Sequence, residues 1–202
     1  MVENRTANEE RRLTAIMFAD IVGYTAIMGK SEKNALQLLE KNLQLHKSEI
    51  IRFHGTLLKI MGDGILVCFP SASEAIYCAR ALIKASEKIT DLSLRIGIHE
   101  GEVTFKEGDV FGDGVNIASR IVNLAGKDEI LISESIYQHI RNKEDIFTTT
   151  IGREHLKNVD HPVSIYQVFE TKRDRKISSH AAIRRSRKLK KIGFYTFLLL
   201  WL

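Results

Sequence analysis

Apolar runs alternate with amphipathic segments along this chain and predict alternating strands and helices. The first run, Leu13–Ala19 (LTAIMFA), is nearly unbroken, as is typical of a strand at the centre of a sheet, and Asp20 ends it. A long helix is expected after Ser31, which can cap its first turn. Its mostly apolar stripe has helical spacing and comprises Ala35, Leu38, Leu39, Asn42, Leu45, Ile50 and Phe53.

The segment Gly62-Asp63-Gly64 lies between two apolar runs and predicts a tight turn. The runs, Thr56–Met61 and Ile65–Phe69, are expected to pair as a β-hairpin. The later pattern predicts a helix over 73–88, a strand over 93–99 that turns near Gly101 into 103–105, and a short run at 110–111 that leads into a helix over 115–124. It further predicts a strand over 129–132, a helix from Ser133, and a final pair of strands near 147–151 and 164–169.

The predicted order of elements is β-α-β-β-α-β with further α/β additions. We therefore expect an α+β fold, with a ferredoxin-like antiparallel core that carries helices on one face.

The division of the chain follows from a change of composition near residue 171. We expect a polar N-terminal segment over 1–12, a folded domain over 13–170, a basic linker over 171–191 and an apolar segment over 192–202. The net charge of +5 is uneven, because residues from Lys172 onward carry +9 and the rest of the chain carries −4. A basic tail on an acidic body does not predict a nucleic-acid partner.

The apolar segment, IGFYTFLLLWL, has eleven residues and would reach only about 16 Å as a helix, roughly half of a bilayer core. It predicts the start of a transmembrane helix or an interfacial anchor; the alternative is a short helix packed on a neighbouring element. The basic residues before it would keep the domain on the cytoplasmic side of the membrane.

Neither the cysteines nor the histidines form a pattern that predicts a disulfide framework or a zinc site. Cys68 and Cys78 form no C-x-x-C pair and are interpreted as reduced core residues. The seven histidines form no ligand grouping, so a zinc site is not predicted.

Two carboxylates stand out for their positions. Asp20 ends a buried strand, so it must be solvated, paired or bound to a cation. Asp63 is an ordinary turn residue unless its hairpin pairs beside that strand. In that arrangement the two carboxylates could share hard cations such as Mg²⁺.

Other polar residues allow either a structural or a binding role. Lys59 lies within the apolar run TLLKIM, where it can extend to solvent at an edge or donate to a ligand. Asn116 and Arg120 share one helical face and can be surface residues or contact ribose and phosphate oxygens. The segment 21–25 contains a Gly turn whose free N–H groups could bind phosphate.

Four of these segments together resemble the catalytic domain of class III nucleotidyl cyclases. They are FADIVGYT (18–25), KIMGDGILVCF (59–69), RIGIHEGEV (95–103) and DVFGDGVNIASR (109–120). The resemblance covers nearly all of residues 13–170 and occurs in the family's order. It implies a head-to-tail homodimer whose active sites lie at the interface and draw residues from both chains.

The resemblance also implies a role for each matched residue. Asp20, Asp63 and the carbonyl of Ile21 match metal ligands, and Gly23, Tyr24 and Thr25 match the loop that holds the triphosphate. Lys59 and Asp109 match the pair that reads the purine. Asn116 matches the residue that orients the ribose, and Arg120 matches the residue that stabilises the transition-state phosphate. Lys157 matches a late phosphate-binding lysine.

The implied activity is that of an adenylyl cyclase, which converts ATP into 3′,5′-cyclic AMP and pyrophosphate with two Mg²⁺ or Mn²⁺ ions per site. Lys59 and Asp109 favour adenine, since guanine-selecting members usually carry Glu and Cys at those positions. The alternatives are a guanylyl cyclase and a non-catalytic nucleotide-responsive dimerisation module. Glu102 departs from the family, several members of which have a triphosphate-binding Arg there.

Overall fold

The computed structural model describes residues 10–106 and 109–174, and of Asp109 only the backbone. The predicted basic linker, apart from residues 171–174, and the apolar segment over 192–202 lie outside the described residues. The elements are β1 (Glu10–Ile21), α1 (Tyr24–Lys30), α2 (Glu32–Arg52), β2 (Thr56–Met61), β3 (Gly64–Phe69), α3 (Ala72–Ser86), β4 (Leu94–Lys106), β5 (Asp109–Phe111), α4 (Asp113–Leu124), β6 (Glu129–Ser133), α5 (Glu134–Ile140), β7 (Phe147–Glu154) and β8 (Val163–Phe169).

The described strands form one sheet in the order β2-β3-β1-β4-β6-β8-β7, with β5 paired to β4. All pairings are antiparallel except β4 with β6, which run parallel. The predicted α+β fold with a ferredoxin-like, mainly antiparallel core is therefore confirmed, and so is the hairpin formed by β2 and β3.

Strand β1 lies at the centre of the sheet, as its apolar run predicted. Its residues alternate between two apolar cores. Met17 packs on the face that α2, α3 and α5 cover, while Phe18 packs on the face that α4 covers. The expectation of helices on one face only was wrong, because both faces of this strand are apolar and each requires a cover.

Strand β4 is continuous through Gly101, so the predicted turn there was wrong. Gly101 pairs with Thr14 of β1 and lies against Gly114 of α4; a Cβ added to Gly101 would be 3.1 Å from the Gly114 Cα. At Gly97 the helix is closer still, since an added Cβ would be 2.3 Å from the backbone nitrogen of Val122. These glycines allow close approach of α4 to β4, and that contact fixes the helix that carries Asn116 and Arg120.

Helix α2 begins where the sequence predicted. The Ser31 hydroxyl accepts a hydrogen bond of 3.3 Å from the Asn34 N–H. Its buried stripe includes a polar pair, Asn42 and His46, and His46 was not part of the predicted stripe. The His46 ring donates from Nδ1 to the Asn42 carbonyl at 2.9 Å. Burial lowers the pKa of His46 to about 4, so the ring is neutral near pH 7.

Candidate active site

Asp20 and Asp63 lie side by side where two neighbouring strands meet the same edge of the sheet. Asp20 is the penultimate residue of β1, Asp63 directly precedes β3, and the pairing of Ala19 with Ile65 brings these ends together. The two carboxyl groups are within hydrogen-bonding reach of each other. Burial and the neighbouring Asp20 raise the pKa of Asp63 above its usual range.

Arg95 of β4 faces the same carboxylate. It is the register partner of Asp20 across the antiparallel β1–β4 pair. Its Nε donates to Oδ2 of Asp20 at 2.9 Å, and its Nη2 donates to the same oxygen. Burial raises the pKa of Asp20, but the hydrogen bonds from Asp63 and Arg95 outweigh it, so the pKa of Asp20 is lowered.

The sequence alone did not indicate Arg95. The alternation in RIGIH does place it on one face of a strand, but only the register of β1 with β4 shows that Asp20 is on the same face directly opposite.

The donor set at this corner suits a hard divalent cation. Two carboxylates beside a backbone carbonyl oxygen suit Mg²⁺ as ligands. Mg²⁺ usually binds through one or two carboxylates, and water and phosphate oxygens fill its remaining coordination positions. Within the described residues no group of three or more His, Cys, Asp or Glu could hold a metal by itself. The chemistry of Asp20 and Asp63 thus fits an ion that also binds a phosphate substrate.

The predicted phosphate loop follows directly after these acids. Gly23 adopts a left-handed conformation with φ +76° and precedes α1, whose first residue is Tyr24. The Gly23 carbonyl accepts from the N–H groups of Ala26 and Ile27 at 3.0 and 3.1 Å. Gly23, Tyr24 and Thr25 therefore lie at the start of a short helix that begins four residues after Asp20.

A second group of predicted residues lies on α4 and in the loop between β7 and β8. Arg120 donates from Nε to the backbone carbonyl of Lys157 and from Nη1 to the carbonyl of Asn116 at 3.2 Å. The side chains of Asn116 and Lys157 are exposed. The structure brings Asn116, Arg120 and Lys157 together, although 37 residues separate the last two.

The predicted purine-reading residues are placed by their strands. Lys59 is exposed on β2, at a register shift opposite Leu66 of β3. Asp109 begins β5, and its backbone pairs with Lys106 of β4. Strands β2 and β5 contact each other, so the two positions belong to neighbouring elements. Glu102, the departure from the family pattern, is exposed on β4 opposite Leu13.

The fold and the paired carboxylates define an α+β domain with an acidic site at the end of its central strand. The family model described as the adenylate and guanylate cyclase catalytic domain matches residues 7–170. The chain belongs to this family.

Individual relatives agree with that assignment. The chain is 37% identical over 164 residues to a putative adenylate cyclase 3 of Rhizobium meliloti, covering 77% of this chain and 28% of the relative. The chain spans between 28% and 38% of the length of four curated relatives that it matches.

Solved structures show the same fold. The adenylyl cyclase CyaB from P. aeruginosa superposes with a TM-score of 0.75 at 28% identity, over 83% of this chain and 98% of that one. The catalytic core of a rhodopsin-guanylyl cyclase with converted specificity, in complex with ATPαS, gives a TM-score of 0.74 at 26% identity, over 81% and 98%.

None of the helices formed by the described residues is long and apolar enough to cross a membrane. The predicted membrane contact through 192–202 concerns residues outside that part of the chain.

Proposed function

We propose that this chain is an adenylyl cyclase that converts ATP into 3′,5′-cyclic AMP and pyrophosphate at the interface of a homodimer. The observation that carries the proposal is the pair of carboxylates, Asp20 and Asp63, at adjoining strand ends of a cyclase-family domain. Paired acids at such a position are costly without a cation to bind, and divalent cations serve phosphoryl chemistry.

Asp20, Asp63 and the Ile21 carbonyl would hold two Mg²⁺ or Mn²⁺ ions per site. Bound there, the ions would lower the pKa of the ribose 3′-hydroxyl and neutralise charge on the β- and γ-phosphates.

The other residues bind and orient the nucleotide. The backbone of Gly23, Tyr24 and Thr25 would hold the triphosphate, and Asn116 would fix the ribose so that its 3′-oxygen lies near the α-phosphorus. The 3′-oxygen forms a bond to that phosphorus as the bond to the pyrophosphate oxygen breaks, and the hydroxyl proton leaves to solvent or substrate. Arg120 and Lys157 supply positive charge where negative charge grows.

The choice of ATP depends on Lys59 and Asp109. A lysine can donate to adenine N1, and an aspartate can accept from the exocyclic amine. Guanine reverses this pattern, which leaves both side chains poorly matched. The adenylate cyclase names of several relatives support this assignment, while the guanylyl cyclase core bound to ATPαS indicates that one fold accommodates either specificity.

The homodimer is supported by exposed apolar side chains on the sheet. Leu13 is 66% exposed, Phe111 53%, Ile60 46% and Met61 43%. Large exposed apolar side chains that lie near one another are typical of an interaction surface, and β2, which carries Ile60 and Met61, contacts β5, which carries Phe111. In a head-to-tail pair, Asp20 and Asp63 of one subunit would act with Asn116 and Arg120 of the other.

The test is cyclic AMP production from Mn·ATP by the wild type and by Asp63→Ala. We expect the variant to lose more than about 100-fold in activity, since even residues that only support metal ligands contribute 10–100-fold. Glu40→Ala removes an exposed carboxylate from α2 and is the matched control. Cyclic GMP from GTP would favour the guanylyl alternative, and nucleotide binding without turnover would favour the dimerisation module.

Membrane attachment through 192–202 stays a separate prediction. The full chain should sediment with anionic vesicles and a variant lacking 192–202 should do so less, because the apolar segment supplies buried area that the basic residues do not. Equal sedimentation of both would contradict it.

A further inference from the structure

We propose that Asn158 is a positioning residue for Arg120, because its left-handed backbone turns the carbonyl of Lys157 toward the guanidinium. Asn158 lies in the loop between β7 and β8, directly after Lys157. The inference deepens the proposed function and rests on it in one respect, namely that Arg120 acts on the reacting phosphate.

The loop between β7 and β8 contains a four-residue turn over 156–159. The Val159 N–H donates to the Leu156 carbonyl at 3.1 Å. Asn158, the third residue of the turn, has φ +59°, and Lys157 before it is not among the residues with positive φ. A negative φ followed by a positive one is the pattern of a type II turn. Left-handed backbone is uncommon for residues other than glycine, and asparagine is among those that tolerate it best.

The sign of φ at Asn158 decides the direction of one carbonyl group. Type I and type II turns differ mainly in the peptide between their second and third residues. In type I, ψ of the second residue is about −30° and φ of the third is about −90°; in type II these angles are about +120° and +80°. The carbonyl of that peptide, here the Lys157 carbonyl, therefore points to opposite sides in the two types. In this structure it accepts a hydrogen bond from Nε of Arg120.

Both ends of the turn pack against the helix that carries Arg120. Leu156 is 6% exposed and lies in one apolar cluster with Ile121, the residue that follows Arg120 in α4, and Val159 packs against the same cluster. A reversal of the central peptide would therefore not require the loop to leave the helix. The conformation of Asn158 is what keeps the Lys157 carbonyl facing Arg120.

The Lys157 carbonyl also determines which nitrogen of Arg120 remains for a phosphate. Nε donates to that carbonyl, and Nη1 donates to the Asn116 carbonyl at 3.2 Å and to the Ser119 hydroxyl at 3.4 Å. Nη2 has no hydrogen-bond partner among the described residues, so it is the donor available to phosphate. Because the guanidinium is planar, anchoring Nε and Nη1 fixes the direction of Nη2. Stabilisation of charge in the transition state depends on that direction.

Steady-state production of cyclic AMP from Mn·ATP by the full chain tests the inference. Asn158→Val introduces a β-branched side chain where φ is positive, which disfavours the type II turn. We expect kcat to fall about tenfold or more while KM for ATP stays within about threefold, because Arg120 acts in the transition state. Asn158→Gly adopts a positive φ without strain and should keep at least about half of the wild-type kcat. An equal loss in both variants would overturn the inference.

Asp91→Val is the matched control. Asp91 is also exposed, has φ +65° and is the third residue of a turn over 89–92, in which the Leu92 N–H donates to the Ile89 carbonyl at 3.1 Å. The variant imposes the same backbone strain in the loop between α3 and β4 and should leave kcat unchanged. A loss of kcat in Asp91→Val as large as that in Asn158→Val would mean that strain in any turn has this effect, and the inference would be wrong.

Paired variants identify the group through which Asn158 acts. In an Arg120→Ala background, Asn158→Val should cause no further loss of kcat, because the side chain that it positions is gone. In a Lys157→Ala background, which keeps the carbonyl, the loss should persist. A full further loss in the Arg120→Ala background, or a kcat for Asn158→Val at or above the wild-type value, overturns the inference. If Asn158→Val does not fold, the milder Asn158→Ala replaces it, with an expected loss of at least about threefold; a wild-type kcat then overturns the inference equally.

Arg120→Ala by itself separates this inference from the proposed function. If it leaves kcat unchanged, or if the wild type makes no cyclic AMP, the proposed role of Arg120 is wrong and both proposals fail. If Arg120→Ala lowers kcat and Asn158→Val does not, only the role of Asn158 fails.

Discussion

Arg120 of α4 donates from Nε to the backbone carbonyl of Lys157 in the loop between β7 and β8. The contact joins two segments that the sequence separates by 37 residues and makes one surface of Asn116, Arg120 and Lys157. Asp20 and Asp63 lie on other elements, at the end of β1 and in the β2–β3 turn. In the proposed homodimer, each site would take these two acids from one subunit and Asn116 and Arg120 from the other.

A mixture of two inactive variants tests the shared site. Asp20→Ala and Asn116→Ala should each be nearly inactive as homodimers, because each alters both sites. In an equal mixture half of the dimers are mixed, and each mixed dimer keeps one intact site of two. Cyclic AMP production should therefore recover to about a quarter of wild type.

The control for that experiment is an equal mixture of Asp20→Ala and Asp63→Ala, which alter the same half of the site and should not recover. Absence of recovery with Asn116→Ala, in a sample shown to contain mixed dimers, would mean that each site is built within one chain.

Exchange of the purine-reading residues should change the substrate. We expect the double variant Lys59→Glu and Asp109→Cys to lose at least about 100-fold in kcat/KM for ATP, because adenine would then meet unmatched hydrogen-bonding groups. Its preference should move toward GTP, measured as the ratio of cyclic GMP to cyclic AMP. Lys47→Glu makes the charge change of Lys59→Glu at an exposed position of α2 and should retain the wild-type ratio.

A methyl group at Gly97 should destabilise the domain. The added Cβ would be 2.3 Å from the Val122 backbone nitrogen, so α4 would have to move away from β4. We expect Gly97→Ala to lower the free energy of unfolding by about 2 kcal/mol or more, measured by urea denaturation. Gly29→Ala has open space around the new methyl group and should cause no loss. Equal stability of the two variants would contradict the close packing of α4.

Acid should destabilise the fold through His46. Its pKa is about 4 in the native protein and about 6.5 in an unfolded chain, so the unfolded state binds more protons between these values. The stabilisation is complete above pH 6.5 and is lost as the pH falls toward 4. At pH 4.5 the loss through this residue should be roughly 2 to 3 kcal/mol.

Unfolding free energies at pH 7 and pH 4.5 check this. The difference between the two pH values should shrink by roughly 2 to 3 kcal/mol in His46→Met, because the titrating ring is gone. His155→Met changes an exposed histidine and should keep the wild-type difference. The prediction is wrong if His46→Met also keeps the wild-type difference in unfolding free energy between the two pH values.

The sequence pattern was sufficient to predict the elements whose structure depends on residues close together in the chain. The central strand, the hairpin around Asp63 and the capped start of α2 follow from apolar periodicity, turn residues and Ser31. Asp20 could also be chosen from the sequence, because it ends a buried strand, where a bare carboxylate is unfavourable. Asp63 is an ordinary turn residue by itself, and only the expected pairing of its hairpin and the resemblance to the cyclases joined it to Asp20.

Tertiary structure alone decided what depends on contacts between distant segments. Periodicity indicates which face of a strand a residue occupies but not the register of its partner, so it could not pair Arg95 with Asp20. In the sequence, a glycine is compatible with either a turn or a close contact between two elements. Only the pairing of Gly101 with β1 and its packing against α4 showed that it continues a strand. The sequence by itself determined most of the elements and pointed to the acids of the candidate site. Non-local pairing decided how they face one another, because register and helix packing are set by the whole core.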